Sequence, residues 1–304
     1  MGRIVAAWLT AAALISNAQV KQPDYVLRSE VRLVRLLTTV KDPAGNLIGD
    51  LSKDDFKITD NGVPQEIAVF ERTTSQPLSV SLMVDTSAST ATHLKNEMDS
   101  VHRFLRALFQ DGNTQDRAAL YSFSWQVVLE MSFTRNLGRL ESALRRLTSH
   151  GGTAVYDAMQ LAARNLEDRD GRHVIIIVTD GGDTVSSVKF GDALEAAQRA
   201  NAVIYPILIV PITNGAGRNT GGEHALETFA AETGGKVFAA SIGSQLDKAF
   251  DNILRDLRSQ YLLGYYPANI PRTKDKFHRV KVETPSRSGL RISTRSGYYG
   301  DAAP

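Results

Sequence analysis

Five consecutive apolar residues, Val174-Ile175-Ile176-Ile177-Val178, constrain this chain more than any other feature. A strand apolar on both faces must be covered above and below, as parallel strands are when helices pack on each side of a sheet. The neighbouring sequence supplies that cover. Residues 80–84 form a second short apolar strand, and Leu94, Met98, Val101, Leu105 and Leu108 follow at helical spacing. Residues 118–123 and 127–133 read as a strand pair, with helices marked by Leu140, Leu144 and Leu147 and then by 155–166. Further on, 192–200 is helical and 203–210 a strand. Residues 225–233 form a helix stopped by Gly234-Gly235, 236–239 a short strand and 246–257 a last helix. This alternation predicts a doubly wound, mostly parallel α/β sheet over residues 77–258.

Strand patterns flank that block. Residues 31–40 are rich in β-branched residues and leucine and end in the turn Asp42-Pro43-Ala44-Gly45-Asn46. Residues 56–59 and 65–70 alternate in period two around Asp60-Asn61-Gly62, a hairpin signal because Asn and Gly tolerate positive φ. Pro64 lies so close behind that a loop longer than two residues is expected. Strands return at 261–266, 277–283 and 290–294. Three strands on either side are too few to be stable alone. Residues 19–76 and 259–304 are therefore expected to combine into one β-sandwich in which the α/β domain is inserted; two separate β extensions are the alternative.

Composition narrows the chemistry. None of the 304 residues is cysteine, which excludes disulfides, thiolate metal sites and a cysteine nucleophile. Lys and Arg number 35 against 33 for Asp and Glu, a formal charge of +2 that gives no field suited to nucleic acid or an anionic membrane. Arg3, the apolar run 4–15 and Ser16-Asn17-Ala18 predict a signal peptide over 1–18, cut after Ala18, and a secreted or periplasmic mature chain. The run is shorter than the roughly 20 residues a membrane span needs. No membrane span is expected later in the chain.

The chemistry-bearing residues fall at strand ends. The strand 80–84 runs into Asp85-Thr86-Ser87-Ala88-Ser89, whose alternate positions can converge one carboxylate and two hydroxyls. Thr153 follows Gly151-Gly152 just before a helix, and the central strand runs into Thr179-Asp180-Gly181. Ligands of open α/β sheets bind at the carboxyl ends of strands, and Asp85 and Asp180 both occupy that edge. Taken singly, Ser89 and Thr153 could each cap a helix, and Asp180-Gly181 could be a turn.

Asp85-x-Ser87-x-Ser89 with Thr153 and Asp180 resembles the metal-ion-dependent adhesion site of von Willebrand factor type A domains, over roughly residues 78–258. Asp54-Asp55-Phe56, Tyr265-Tyr266-Pro267 and Gly297-Tyr298-Tyr299 resemble a bacterial exported subfamily related to that domain. The resemblance implies Asp85, Ser87, Ser89, Thr153 and Asp180 as metal ligands, some through water, with Asp157 and Asp183 as candidates for orienting the site from behind. Hydroxyl and carboxylate oxygens suit Mg²⁺, or Mn²⁺ or Ca²⁺. A partner protein presenting an Asp or Glu carboxylate would complete the coordination. The alternatives are an envelope scaffold with a vestigial site and a metal-dependent hydrolase, but no Gly-x-Ser-x-Gly elbow or His-x-x-x-His pair is present. Gly215-Ala216-Gly217-Arg218 lacks the third glycine of a dinucleotide loop and reads as a surface loop. His150 is expected at the rim of the metal face.

Overall fold

A computed structural model describes residues 33–72, 75–210, 220–271 and 276–300. The expected signal peptide and the Gly215-Arg218 loop lie outside these residues. The first part holds β1 (Val34–Lys41), a single 3-10 turn (Lys53–Asp55), β2 (Lys57–Asp60), β3 (Val63–Gln65) and β4 (Ile67–Glu71). The α/β block runs through β5 (Leu78–Asp85), α1 (Leu94–Gln110), β6 (Arg117–Phe123), β7 (Val127–Thr134), α2 (Leu137–Leu144) and α3 (Val155–Glu167). It continues through β8 (Arg172–Thr179), α4 (Phe190–Arg199), β9 (Ala202–Ile209), α5 (Thr220–Thr233), β10 (Phe238–Ala240) and α6 (Ser244–Arg258). Strands β11 (Tyr261–Tyr265), β12 (Phe277–Glu283), β13 (Arg291–Ser293) and β14 (Gly297–Tyr299) follow.

The central sheet has the order β10-β9-β8-β5-β6-β7. Its strands pair in parallel except β7, which runs antiparallel to β6 at one edge. Every residue of β5, β8 and β9 is buried. The pleat sorts them: Val80, Leu82, Val84, Val174, Ile176 and Val178 pack on α1, α2 and α6. Met83, Ile175 and Ile177 pack on α3, α4 and α5. Each buried Leu or Ile side chain contributes about 1.5–3 kcal/mol, so the doubly covered sheet is the stable frame for whatever its ends carry. Helix α5 stops as its sequence predicts, with Gly234 at φ +84° and Gly235 N–H donating to the Ala230 carbonyl at 2.9 Å.

Strands from both ends of the described chain interleave into two further sheets, β13-β1-β11-β4 and β14-β12-β2-β3. Leu36, Phe56, Ile58, Tyr261, Leu263, Val280 and Val282 share one core between them. This is the expected sandwich, with the α/β block inserted in it. Its interior also holds a polar knot. Tyr265 and Tyr298 hydroxyls each donate to Asp60 Oδ2 at 2.7 Å, and His278 Nδ1 lies 3.2 Å from Asp60 Oδ1, with Asp60 fully buried.

Two local expectations are corrected. The β2–β3 loop has two residues, Asn61 (φ 47°) and Gly62 (φ 83°), and not more. Pro64 pairs with Thr59 on the sheet's outer strand, where its missing N–H faces away from β2 and breaks no ladder bond. The stretch 65–70 is two strands, because the chain crosses from one sheet to the other at Glu66. Gly297-Tyr298-Tyr299 is a strand too short to show a period.

Candidate metal-binding site

Helix connections fix where a ligand can sit. After β5 the chain moves to β6 on one side; after β8 it moves to β9 on the other. Connections that diverge from two adjacent parallel strands leave a crevice beyond their carboxyl ends. Val84 and Val178 are paired in register, so Asp85 and the Thr179-Asp180 step lie side by side at that crevice.

A chain of oxygen contacts joins them. Ser87 N–H donates to Asp85 Oδ1 at 2.8 Å, and Thr179 Oγ1 donates to Asp85 Oδ2 at 2.6 Å. The Ser87 and Ser89 hydroxyls are 3.0 Å apart, and Ser89 Oγ donates to Asp180 Oδ1 at 3.0 Å. Asp85 is fully buried, whereas Ser89 is exposed, so the cluster opens outward through Ser89 and the half-buried Asp180. Ser89 does not cap a helix: α1 begins five residues later, at Leu94, behind His93. Residues 86–93 instead fold into turns in which Thr90 Oγ1 donates to the Asp85 and Ser87 carbonyls.

Thr153 arrives on a loop stitched to both neighbours of this cluster. His150 N–H donates to Thr86 O, Trp125 N–H to Gly151 O, and Thr184 N–H to Thr153 O. Thr153 does not cap α3, whose N-cap is Ala154. Its hydroxyl makes no hydrogen bond with a described residue, so Thr153 stands beside the Asp85–Asp180 chain and outside it. His150 is exposed at the rim, with Nε2 3.1 Å from Thr148 Oγ1. Asp183 and Asp157 hold the loop after β8 against α3. Asp183 Oδ1 accepts from Tyr156 N–H at 3.3 Å and from the Ser186 hydroxyl, and Asp157 accepts from Ser187 and Val188 N–H.

Four features escaped the sequence reading. Thr179, read only as the end of a strand, fixes the Asp85 carboxylate. Ser149 Oγ ties the 148–154 loop to the Ser87 carbonyl at 2.9 Å. Glu97 is 1% exposed on the inner face of α1, and neither carboxyl oxygen has a hydrogen-bond partner. Its place three residues after Leu94, on the apolar stripe of the helix, was the available signal. Trp125 and Val185 are exposed apolar residues beside Thr153, and a Cβ on Gly152 would meet both, at 3.1 and 3.3 Å. Gly152, at φ +75°, allows that close approach.

Three carboxyl groups gather here. Among the described residues no Lys, Arg or His pairs with Asp85, Asp180 or Glu97. Burial, with Asp180 adding to it, pushes the Asp85 carboxyl up to about 6. Burial, together with Asp85 and Asp180, pushes Glu97 up to about 8. No three Asp, Glu or His side chains of the described residues form a ready-made metal cage. Two carboxylates and a row of hydroxyls instead make a shallow set of hard oxygen donors, a composition that fits a cation retaining some of its water.

An α/β domain with an oxygen-lined crevice at its strand switch is therefore the class that fold and site define. Residues 80–182 match the von Willebrand factor type A domain family. Solved structures similar to this chain include the conserved hypothetical protein BatB of Bacteroides thetaiotaomicron, at 18% identity and TM-score 0.47 over 60% of this chain and 100% of that one. They also include the vWF domain of the type V pili tip protein Mfa5 of Porphyromonas gingivalis, at 15% and 0.48 over 60% and 95%. The PilB minor pilin of Streptococcus sanguinis is similar at 13% and 0.47, over 60% and 62%. No curated protein matches the chain.

Proposed function

We propose that this chain is an exported, divalent-metal-dependent protein-binding module, serving adhesion or assembly, whose bound ion is completed by a partner's Asp or Glu. The observation that carries the reading is the buried Asp85 carboxylate, linked through Ser87 and Ser89 to Asp180, with no cationic side chain among the described residues paired to either. Asp85, Ser87, Ser89, Thr153 and Asp180 would hold Mg²⁺, or Mn²⁺ or Ca²⁺, some of them through water. Two carboxylates neutralise a divalent ion without saturating it, which leaves it able to attract a third from outside. Trp125 and Val185 beside Thr153 supply an apolar rim of the kind that anchors protein partners. Export rests on the expected signal peptide; among the described residues no helix is long and apolar enough to cross a membrane. The reading assigns no catalytic residue.

Calorimetric titration of Mn²⁺ into the mature chain and its Asp85→Ala variant tests the ion. Binding in the wild type lost in the variant is expected, and equal binding in both would refute the site. Partner capture from envelope extract with and without EDTA tests the second half: capture that persists in EDTA and in Asp85→Ala favours the scaffold alternative.

A further inference from the structure

A cavity of about 360 Å³ lies at the opposite end of the central sheet from Asp85. Arg172 and Val203 line it at the starts of β8 and β9; Arg35 and Leu262 line it from β1 and β11. The two ends of the sheet are roughly 25 Å apart, the length of an eight-residue strand. Arg169 and Arg295 also line the cavity, so four arginines, with His173, share its wall with two acidic residues, Glu167 and Asp170. Among the described residues none of the four arginines forms an ion pair with a carboxylate.

Their donors are under-used. Arg172, 6% exposed, places Nη1 on the Leu257 carbonyl at 2.5 Å and on Gln260 Oε1 at 3.4 Å, and Nε on the Gln76 carbonyl at 3.3 Å, with Nη2 on no described residue. Arg295 spends Nη1 on Asn201 Oδ1, and its buried Nε has no partner. Arg169 makes one long bond, Nε to Ser79 Oγ at 3.4 Å, and rests its guanidinium over the Phe133 ring at 4.7 Å, while the exposed Arg35 donates to no described residue. A buried guanidinium N–H left without an acceptor, as at Arg295 Nε, costs about 1–3 kcal/mol, and here it belongs to a cavity wall with more cationic than acidic side chains. Burial pushes Arg295 down to about 10, which still leaves it charged near neutrality.

We infer that this cavity is an anion-binding site for a small molecule bearing two or more phosphate or carboxylate oxygens. Guanidinium forks match such oxygens in bidentate pairs, and the volume suits a compact metabolite-sized anion. Arg169 and Arg172 come from the α/β block while Arg35 and Arg295 come from the sandwich, so a bound anion ties the two together. The site is independent of the Asp85 cluster and stands whether or not that cluster holds a metal.

Calorimetry in EDTA with the mature chain tests it, using pyrophosphate and succinate as probes and chloride at matched ionic strength as control. One-to-one binding of either probe is expected, accompanied by a rise in Tm. Arg35→Gln, a change at an exposed position, should weaken binding about tenfold, and Asp85→Ala should leave it unchanged. Tighter pyrophosphate than succinate assigns a phosphate ligand, and the reverse a carboxylate. Failure of both probes to bind at about 10 mM, or binding unaltered in both Arg35→Gln and Arg295→Gln, would overturn the inference.

Discussion

Glu97 shows how one side chain can record what a site needs. It sits at a core position of α1, without a partner, and in the field of Asp85 and Asp180. Its folded-state pKa of about 8 lies above the ordinary glutamate value, so the native chain holds a proton there that the unfolded chain releases. Its favourable contribution is complete below about pH 4.5 and is lost as pH rises through about 8. In EDTA, Glu97→Gln should match the wild type near pH 4 and exceed it by roughly 3–5 kcal/mol at pH 9, read by urea denaturation. A difference that stays flat across that range would mean that the carboxyl is paired after all. If Mn²⁺ occupies the crevice, adding it should narrow the gap at pH 9.

At the scale of elements, the sandwich depends on a polar knot as well as on apolar strands. Asp60 ends β2, Tyr265 ends β11 and Tyr298 belongs to β14, so one carboxylate fastens strands from both sheets. Asp60→Ala would strand two tyrosine hydroxyls and His278 Nδ1, and a loss of about 3 kcal/mol or more in urea unfolding is expected. Hydrogen exchange should locate the loosening in β11 and β12 and leave β8 protected. The elements of the α/β block were legible because their apolar periods are long. The sandwich was legible as strands but not in detail: a two-residue hairpin was hidden by Pro64, a sheet crossing at Glu66 by unbroken alternation, and β14 by brevity. At the crevice, the sequence order of Asp85, Ser87, Ser89 and Asp180 revealed a set that the fold does bring together. The Thr179 bond, the Ser149 tie and the orphaned Glu97 depend on tertiary placement, which no spacing encodes.

For the whole molecule, the α/β block has two complete helical covers and a core of its own, whereas each sandwich sheet needs both flanks. Residues 77–258 expressed alone should therefore unfold cooperatively in urea, while a chain ending at Ser259 should keep its α/β signal and expose the sandwich core to a hydrophobic dye. Loss of cooperative unfolding in the isolated block would show that it borrows stability from the flanks. The interleaving also imposes a schedule. β1 and β2 are synthesised early but must wait for β11 and β12, more than two hundred residues behind them, before their edges are covered. Until then the newborn amino-terminal ribbons present open backbone to any passing strand, so a chaperone that shields them during synthesis or transport would guard this protein at its most vulnerable moment.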